Sequence, residues 1–271
     1  MSDAMHIPLV TVITIAYNDA ANLKKTIENV KQQNYPKLEY IVIDGGSTDG
    51  SQEVIQSNAE FIDQWVSEKD KGIFDAMNKG VLLAKGEYIN FMNAGDWFLD
   101  RGIITKIFNE KENLEADLIY GDHEVHYPTF VKKKTALSLS QLWKHMVFSH
   151  QTLFTKKEIL LRYPFDLRFK IAADFHFVYN CHRLGYKFKY TALNIAAYLA
   201  GGQSETKIIT AYKENQAIVL AHNRRWTTQL FHKKLIAKQK ILVLLRSLIA
   251  ESFFLKLMKW KNHLTGANNS R

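Results

Sequence analysis

Leu9-Val10-Thr11-Val12-Ile13-Thr14-Ile15-Ala16 is the stretch that decides the fold. Six of its eight residues are β-branched, and such a continuous run predicts a strand covered on both faces, as in the core of a parallel sheet. Downstream, Asn18 and Asp19 offer helix N-cap side chains, and Leu23, Ile27 and Val30 recur at helical spacing until Tyr35-Pro36 stops the helix. A second strand, Tyr40 to Ile43, ends in Asp44 and the turn Gly45-Gly46-Ser47-Thr48-Asp49-Gly50, in which Thr48 is a candidate cap. A helix over Ser51 to Ser57, a strand over Gln64 to Ser67, a helix over Ile73 to Ala84 and a strand over Tyr88 to Met92 follow. This alternation predicts an α/β domain whose mostly parallel sheet is wound right-handed, with ligands bound beyond the carboxyl ends of the strands.

Polar residues fall where that rule places a ligand. Ala16-Tyr17-Asn18-Asp19, Asp44 to Asp49, Glu68-Lys69-Asp70-Lys71 and Asn93-Ala94-Gly95-Asp96 each follow one of the four strands. After about residue 115 the pattern loosens. Leu118 to Tyr120 and Thr152 to Phe154 read as strands, Ala173 to Leu184 as a helix closed by Gly185, and Tyr198 to Gly202 as a strand entering a glycine turn. This half is expected to form the second wall of the cleft, and from about Glu205 the chain reads as helical to near its end.

Composition narrows the class. Four prolines and 13 glycines without low-complexity tracts or repeats exclude disordered, collagen-like and solenoid proteins. A single cysteine, Cys181, forms no internal disulfide, no leader-like segment opens the chain, and a reducing, cytoplasmic setting is expected. No run reaches the ~18 apolar residues of a membrane span, since Arg246, Glu251 and Lys256 interrupt Ile241 to Met258. The charge is uneven: residues 1–221 hold 25 Lys+Arg against 26 Asp+Glu, whereas residues 222–271 hold 11 against one. The whole formal charge of +9 therefore belongs to the tail, where it fits an acidic membrane surface or a nucleic acid equally well on composition alone.

Each chemical motif has two readings at this level. Gly45 to Gly50 has phosphate-loop spacing, but Ser51-Gln52 stands where that loop needs Lys followed by Ser or Thr, which excludes a P-loop NTPase; no G-x-G-x-x-G follows the first strand either. Asp44 is then part of a tight strand-to-helix turn or an acceptor for a base or ribose. Asp96 is a helix cap or a ligand for Mg²⁺ or Mn²⁺, because a hard cation bridging a nucleotide diphosphate needs only one or two protein carboxylates. Asp174, in Ile171-Ala172-Ala173-Asp174-Phe175, is a first-turn residue favoured by the helix dipole or a general base. His123, His126 and His150 read as structural.

Together these segments resemble the inverting family 2 glycosyltransferases of GT-A fold, over residues 8 to about 205. The residues carrying the resemblance are Val12 to Asn18, Ile43 to Gly50, Ser67 to Gly80, Asn93 to Asp96, Ser149-His150-Gln151, Ala173-Asp174-Phe175 and Gly201-Gly202-Gln203-Ser204. The third segment looks most like enzymes that build bacterial capsular, colanic-acid-type and O-antigen repeat units. The resemblance implies a Rossmann-like nucleotide-binding half and a mixed-sheet acceptor half, a catalytic domain over residues 1–222 and a basic amphipathic tail over 223–271. It implies hexosyl transfer from a nucleotide sugar, a UDP-sugar foremost, to a glycan acceptor. Ala16, Tyr17 and Asn18 would frame base and ribose, Asp44 would bond the base, and Asp75 with Lys79 would face the diphosphate and sugar. Asn93 and Gly95 would flank the donor, Asp96 would hold Mn²⁺ or Mg²⁺, and Asp174 would be the catalytic base. Two departures stand out: Gly95 replaces a frequent second carboxylate, and Ala173-Asp174 stands where Glu-Asp is common.

Other classes remain for comparison. A non-catalytic nucleotide-sugar or glycan-binding subunit would not need Asp96 and Asp174 together. A nucleotidyltransferase would need a basic glycine-rich loop where Tyr17-Asn18-Asp19-Ala20 stands. In the tail, Phe231, Leu235, Leu242, Leu245, Ile249, Phe253, Leu257, Trp260 and Leu264 fall at spacings that a helix gathers into one apolar stripe among many lysines. A core-packed helix or a dimer contact accounts for the stripe; its charge matches helices that lie in an anionic membrane interface. Related enzymes extend glycans on a polyprenyl-diphosphate carrier, so the resemblance implies peripheral association with the inner face of the cell membrane through residues 225–264, and no nucleic acid.

Overall fold

A computed structural model describes residues 6–248, 253–254 and 256–260. In chain order the elements are β1 (Val10–Ala16), α1 (Ala20–Lys31), β2 (Leu38–Asp44), α2 (Ser51–Gln56), β3 (Gln64–Ser67), α3 (Ile73–Leu83), β4 (Tyr88–Phe91) and β5 (Asp96–Phe98). Then come α4 (Ile103–Phe108), α5 (Lys111–Leu114), β6 (Leu118–Tyr127), β7 (Phe130–Lys134), β8 (Phe154–Lys156), α6 (Lys157–Arg162), α7 (Ala173–Arg183) and β9 (Phe188–Leu199). The helices α8 (Gln203–Thr206), α9 (Ile208–His222) and α10 (Trp226–Ser247) complete the described chain.

The strands form one mixed sheet in the order β3-β2-β1-β4-β8-β6-β9-β5, with β7 added beside β6. From β3 to β4 the pairing is parallel, as the opening run predicts; beyond β4 the sheet turns antiparallel at β8 and mixed thereafter. Every residue of β1 is buried, and its side chains divide by the period of two. Ile13 and Ile15 join a core with α3 and α7, whereas Val10, Val12 and Ala16 pack against Leu23, Ile27 and Val30 of α1. The sheet is thus a layer between two helical layers.

The structure corrects several local expectations. Thr48 is not the helix cap. Gly50 holds the N-cap position of α2 and Asp19 that of α1, neither with a side-chain cap bond, and Asp49 supplies the acceptor for both helices: Oδ2 accepts the Ala20 N–H at 2.9 Å at the start of α1, and Oδ1 accepts the Ser51 N–H at 3.1 Å at the start of α2. These bonds, with the Ser51 hydroxyl first among them, hold the Asp49 carboxyl below its usual range. Thr152 ends a 3₁₀ turn rather than opening a strand, and β8 starts only at Phe154. The expected strand Tyr198 to Gly202 is the end of β9, a 12-residue strand paired with β6 and β5. Its first half alternates partly exposed residues such as Lys189 and Thr191, so no buried run marks it.

The tail divides in two. Early α10 is docked: His232 is fully buried with its Nε2 2.9 Å from the Trp143 carbonyl oxygen, and Phe231 packs on the Trp143 ring at 5.0 Å. From Ile241 to Leu248 every residue is exposed. Five consecutive apolar residues, Ile241 to Leu245, cover all sides of a helix, so this part is apolar all round instead of carrying one stripe. Ile249 and Leu264 of the expected stripe lie outside the described residues. Among the described residues no helix is long and apolar enough to cross a membrane.

Candidate active site

The site begins at the turn between β4 and β5. Gly95 takes φ 91°, in the left-handed region where a side chain is strained, which is the local reason for glycine at the position where a second carboxylate is frequent. The buried Thr26 on α1 pins this turn. Its hydroxyl donates to the Asp96 carbonyl oxygen at 2.8 Å and accepts the Gly95 N–H at 3.1 Å. Asn29, one turn along α1, fixes β5 by donating to the Phe98 carbonyl at 3.0 Å and accepting the Phe98 N–H at 2.8 Å. Asp96 is held so firmly that its carboxyl lies buried, and desolvation pushes its pKa up to about 8 in spite of a hydrogen bond from Gln151.

The 3₁₀ turn His150–Thr152 faces it. Asn93 Nδ2 lies 3.0 Å from His150 Nε2, and His150 Nδ1 lies 3.8 Å from Asp174 Oδ2. With the Asn93 amide as donor, Nε2 is the acceptor and the ring proton resides on Nδ1, toward Asp174. Burial depresses His150 to about 4, so the ring is neutral at pH 7 and its contact with Asp174 is not an ion pair. Asp174 itself lies in the first turn of α7, with Ala172 as N-cap. Desolvation raises its carboxyl to about 6, against the Phe175 N–H that it accepts at 2.7 Å.

Asn93, Gly95, Asp96, His150 and Asp174 line one open cleft of about 810 Å³. Lys134 and Lys170 line it as well. Burial lowers the Lys134 pKa, with the neighbouring Lys132 adding to the effect. No motif in the sequence marks either lysine, because β7 and the segment before α7 are brought to the cleft only by the sheet.

The remaining expected residues gather elsewhere. Asn18, at φ 49°, staples the β1 end to the β2 turn: its side-chain oxygen accepts the Thr48 N–H at 2.9 Å, and its own N–H donates to Ser47 Oγ at 2.7 Å. Asp44 is fully buried next to Ala16 on β1, and its carboxylate accepts from Ser47 N–H at 2.9 Å and Ser67 Oγ at 2.6 Å. Tyr17 is 65% exposed, and its ring closes over Gly45 together with the Asp70 carboxylate, which lies 2.6 Å from where a Cβ would stand. An exposed aromatic ring beside a carboxylate can stack and hydrogen-bond a base, and in the sequence Asp70 is only one residue of the polar loop Glu68-Lys69-Asp70-Lys71. Lys79 and Asp75 lie outside the cleft lining. Lys79 Nζ pairs with Glu68 at 2.7 Å, which raises its pKa, and lies 4.0 Å from Asp75, whose Oδ2 accepts the Lys71 N–H at 3.0 Å. Both side chains brace the loop 68–71.

Among the described residues no cluster of three His, Cys, Asp or Glu side chains gathers as a metal centre. A cation carried on a diphosphate does not require one. Asp96 belongs to none of the ion pairs among the described residues, and Asn93 Oδ1 is a buried oxygen without a hydrogen-bond partner. Hard oxygens of this kind, lining the cleft, fit Mg²⁺ or Mn²⁺.

The mixed sheet, with its parallel half ending beside this cleft, has the architecture of the GT-A glycosyltransferases on which the chain superposes. The profile described as Glycosyl transferase family 2 matches residues 11–186, and the chain belongs to that family. It is 31% identical over 182 residues to an uncharacterized glycosyltransferase of Mycobacterium tuberculosis, covering 63% of this chain and 68% of that one. It is 28% identical over 184 residues to a PGL/p-HBAD biosynthesis glycosyltransferase of Mycobacterium bovis, covering 65% and 71%. Among solved structures, residues 1–349 of Staphylococcus aureus TarS in complex with UDP-GlcNAc superpose with a TM-score of 0.61 at 14% identity, over 78% of this chain and 66% of that one. The match spans 39% of the longer TarS chain. The mannosyltransferase PcManGT of Pyrobaculum calidifontis, in complex with GDP-Man and Mn²⁺, superposes with a TM-score of 0.58 at 17% identity over 97% and 87%. At those identities the likeness carries the fold.

Proposed function

We propose that the protein transfers a hexose, with inversion, from a uridine-diphosphate sugar to a glycan acceptor carried on a polyprenyl diphosphate, in the assembly of a bacterial surface polysaccharide. The observation that carries this reading is the convergence of Asp96 and Asp174 on one cleft. Asp174 accepts the proton of the acceptor hydroxyl as that oxygen attacks the anomeric carbon from the side opposite the nucleotide. A carboxyl raised to about 6 is ionised at pH 7 yet basic enough for the task. Asp96, with Asn93 beside it, would hold Mg²⁺ or Mn²⁺, which neutralises a departing diphosphate. Tyr17 and Asn18 frame the base, with Ala16, Asp44 and the added Asp70 behind them. Asp75 and Lys79 shape the loop facing the diphosphate and sugar, and Gly95 keeps the turn clear of side chain. One displacement needs no second carboxylate as a covalent nucleophile.

UDP-GlcNAc in the TarS complex supports a uridine donor, GDP-Man with Mn²⁺ in the mannosyltransferase supports a cation, and the mycobacterial relative's part in PGL/p-HBAD biosynthesis supports a biosynthetic glycosyl transfer. The exposed apolar end of α10, flanked by Lys238, Lys240 and Arg246, supports peripheral association with the anionic inner face of the cell membrane, on the cytoplasmic side.

A thermal-stability screen of UDP- and GDP-sugars with and without Mn²⁺ tests the donor. At about 100 times its dissociation constant the true donor stabilises by roughly 2.7 kcal/mol. A UDP-sugar that stabilises only with Mn²⁺ supports the reading. Stabilisation by GDP-sugars alone overturns the uridine assignment, and binding without turnover on any acceptor marks a glycan-assembly subunit instead.

A further inference from the structure

Glu214 lies beyond the family match, on α9, and has no part in the chemistry described above. Its carboxylate nevertheless accepts three backbone N–H groups in succession, from Lys170, Ile171 and Ala172, each at 2.9 Å. These amides lead directly into α7, whose own N-cap, Ala172, has no side chain able to cap. Asp174 stands two residues further on. The segment 170–172 also lines the cleft, and so do Ala211 and Asn215 of α9, so the carboxylate joins two walls of the same cavity.

We propose that Glu214 is the positioning residue for Asp174, capping α7 from a distance and fixing where the base meets the acceptor hydroxyl. This rests on Asp174 being the general base. The physical argument is one of geometry. A carboxylate offers two oxygens with about four acceptor sites in a plane, which suits three converging N–H donors; an uncharged amide offers one oxygen and turns an N–H₂ group toward them. Without the cap, three amides at a helix start lose their partner, and the first turn of α7 is free to fray. A displacement near 1 Å in a base is enough to cost about 100-fold in rate. Glu214 also faces Asp174 electrostatically, as the charge that adds to desolvation in holding that carboxyl high. The other groups around Asp174 are His150 from the 3₁₀ turn and Lys170 on its own segment, with Asp96 and Lys134 across the cleft.

The test uses the full chain with Glu214→Gln, Glu214→Asp and Glu214→Ala, and Asp174→Asn in parallel. Amide hydrogen exchange at residues 170–175 is read without any substrate, UDP binding with Mn²⁺ reports the donor half, and turnover is followed with the donor that the screen selects. Glu214→Gln is expected to lose protection at 170–174, to bind UDP within about twofold of the parent, and to lose about 10- to 100-fold in kcat with donor KM unchanged. The acidic limb of its pH profile is expected to move to lower pH, since a negative charge near Asp174 has gone. Glu214→Asp is expected to fall between Gln and the parent. Parent-like exchange and kcat in Glu214→Gln, with Asp174→Asn inactive, overturn the role of Glu214 and leave Asp174 as base. Full activity in Asp174→Asn removes both. If none of the three Glu214 variants is folded, Glu214 is a structural residue only and the inference fails.

Discussion

Asp96 is a buried carboxylate and Asp174 a half-buried one, desolvation raises both, and in the proposed reaction their titration has different consequences. Asp96 has a folded-state pKa of about 8, far above the roughly 3.9 of an unfolded chain. The folded protein therefore holds that proton more tightly than the unfolded one. The stabilisation is complete below about pH 4 and is lost as pH rises through about 8. Asp96→Asn is always uncharged, so it is expected to melt above the parent at pH 9 and level with it near pH 4, by calorimetry. Mn²⁺ with UDP is expected to raise the melting temperature of the parent and not of the variant. With Asp174 as the proposed base the consequence is kinetic: the carboxyl must be ionised, so kcat is expected to fall about tenfold per pH unit below pH 6, where the group protonates. Gly95→Ala, forced into φ 91°, is expected to lose about 1–2 kcal/mol in denaturant unfolding. These residues were legible to different degrees. Asp96 and Asp174 stand in short motifs within strand ends and helix starts, where sequence position already implies a cleft. His150 reads as structural in the sequence, because its partners Asn93 and Asp174 lie 57 and 24 positions away.

Among elements, those that bury a continuous apolar run were readable and those with one face in water were not. β1 announces itself because both its faces are covered. In β6, Leu118 to Tyr120 were visible, but the strand runs on to Tyr127 by alternating buried His123 and Val125 with partly exposed Asp122 and Glu124. β5 is hidden in the sequence, where Asp96 reads as a helix cap or a metal ligand, since three residues give no period. The helix α10 shows a different limit: amphipathic spacing suggested one stripe, yet docking of His232 against Trp143 and the bare segment 241–248 divide the helix by length rather than by face. The two parts are expected to respond differently. His232→Ala removes a fully buried ring and takes the partner from the part-buried Trp143 carbonyl, and is expected to cost about 1–3 kcal/mol. Leu242→Asp with Leu245→Asp is expected to change stability by about 0.5 kcal/mol or less each, and to release the protein from anionic vesicles in sedimentation. Equal pelleting of this variant and the parent contradicts the membrane assignment.

At the scale of the molecule, the proposed function divides the sheet in two: the parallel half would present its strand ends to the nucleotide, and the mixed half, with α7 and α9 behind it, would present Asp174 to the acceptor. The two halves meet at β4 and β8, where the direction of pairing reverses, and the cleft opens beside that seam. This division explains why the first half of the site was readable in sequence order while the second was not: strand and helix alternate locally up to Phe91, whereas β5, β6, β8 and β9 are joined across long separations. It also predicts that donor binding and proton removal can be separated by mutation. The most direct measurement is therefore turnover and donor affinity of Asp174→Asn against the parent, with the nucleotide sugar and acceptor the protein uses. The expected result is a fall in kcat of about 100-fold or more, with the donor dissociation constant unchanged within about twofold. Full turnover in Asp174→Asn, or loss of donor binding in place of turnover, contradicts the assignment of the base and with it the division of the cleft.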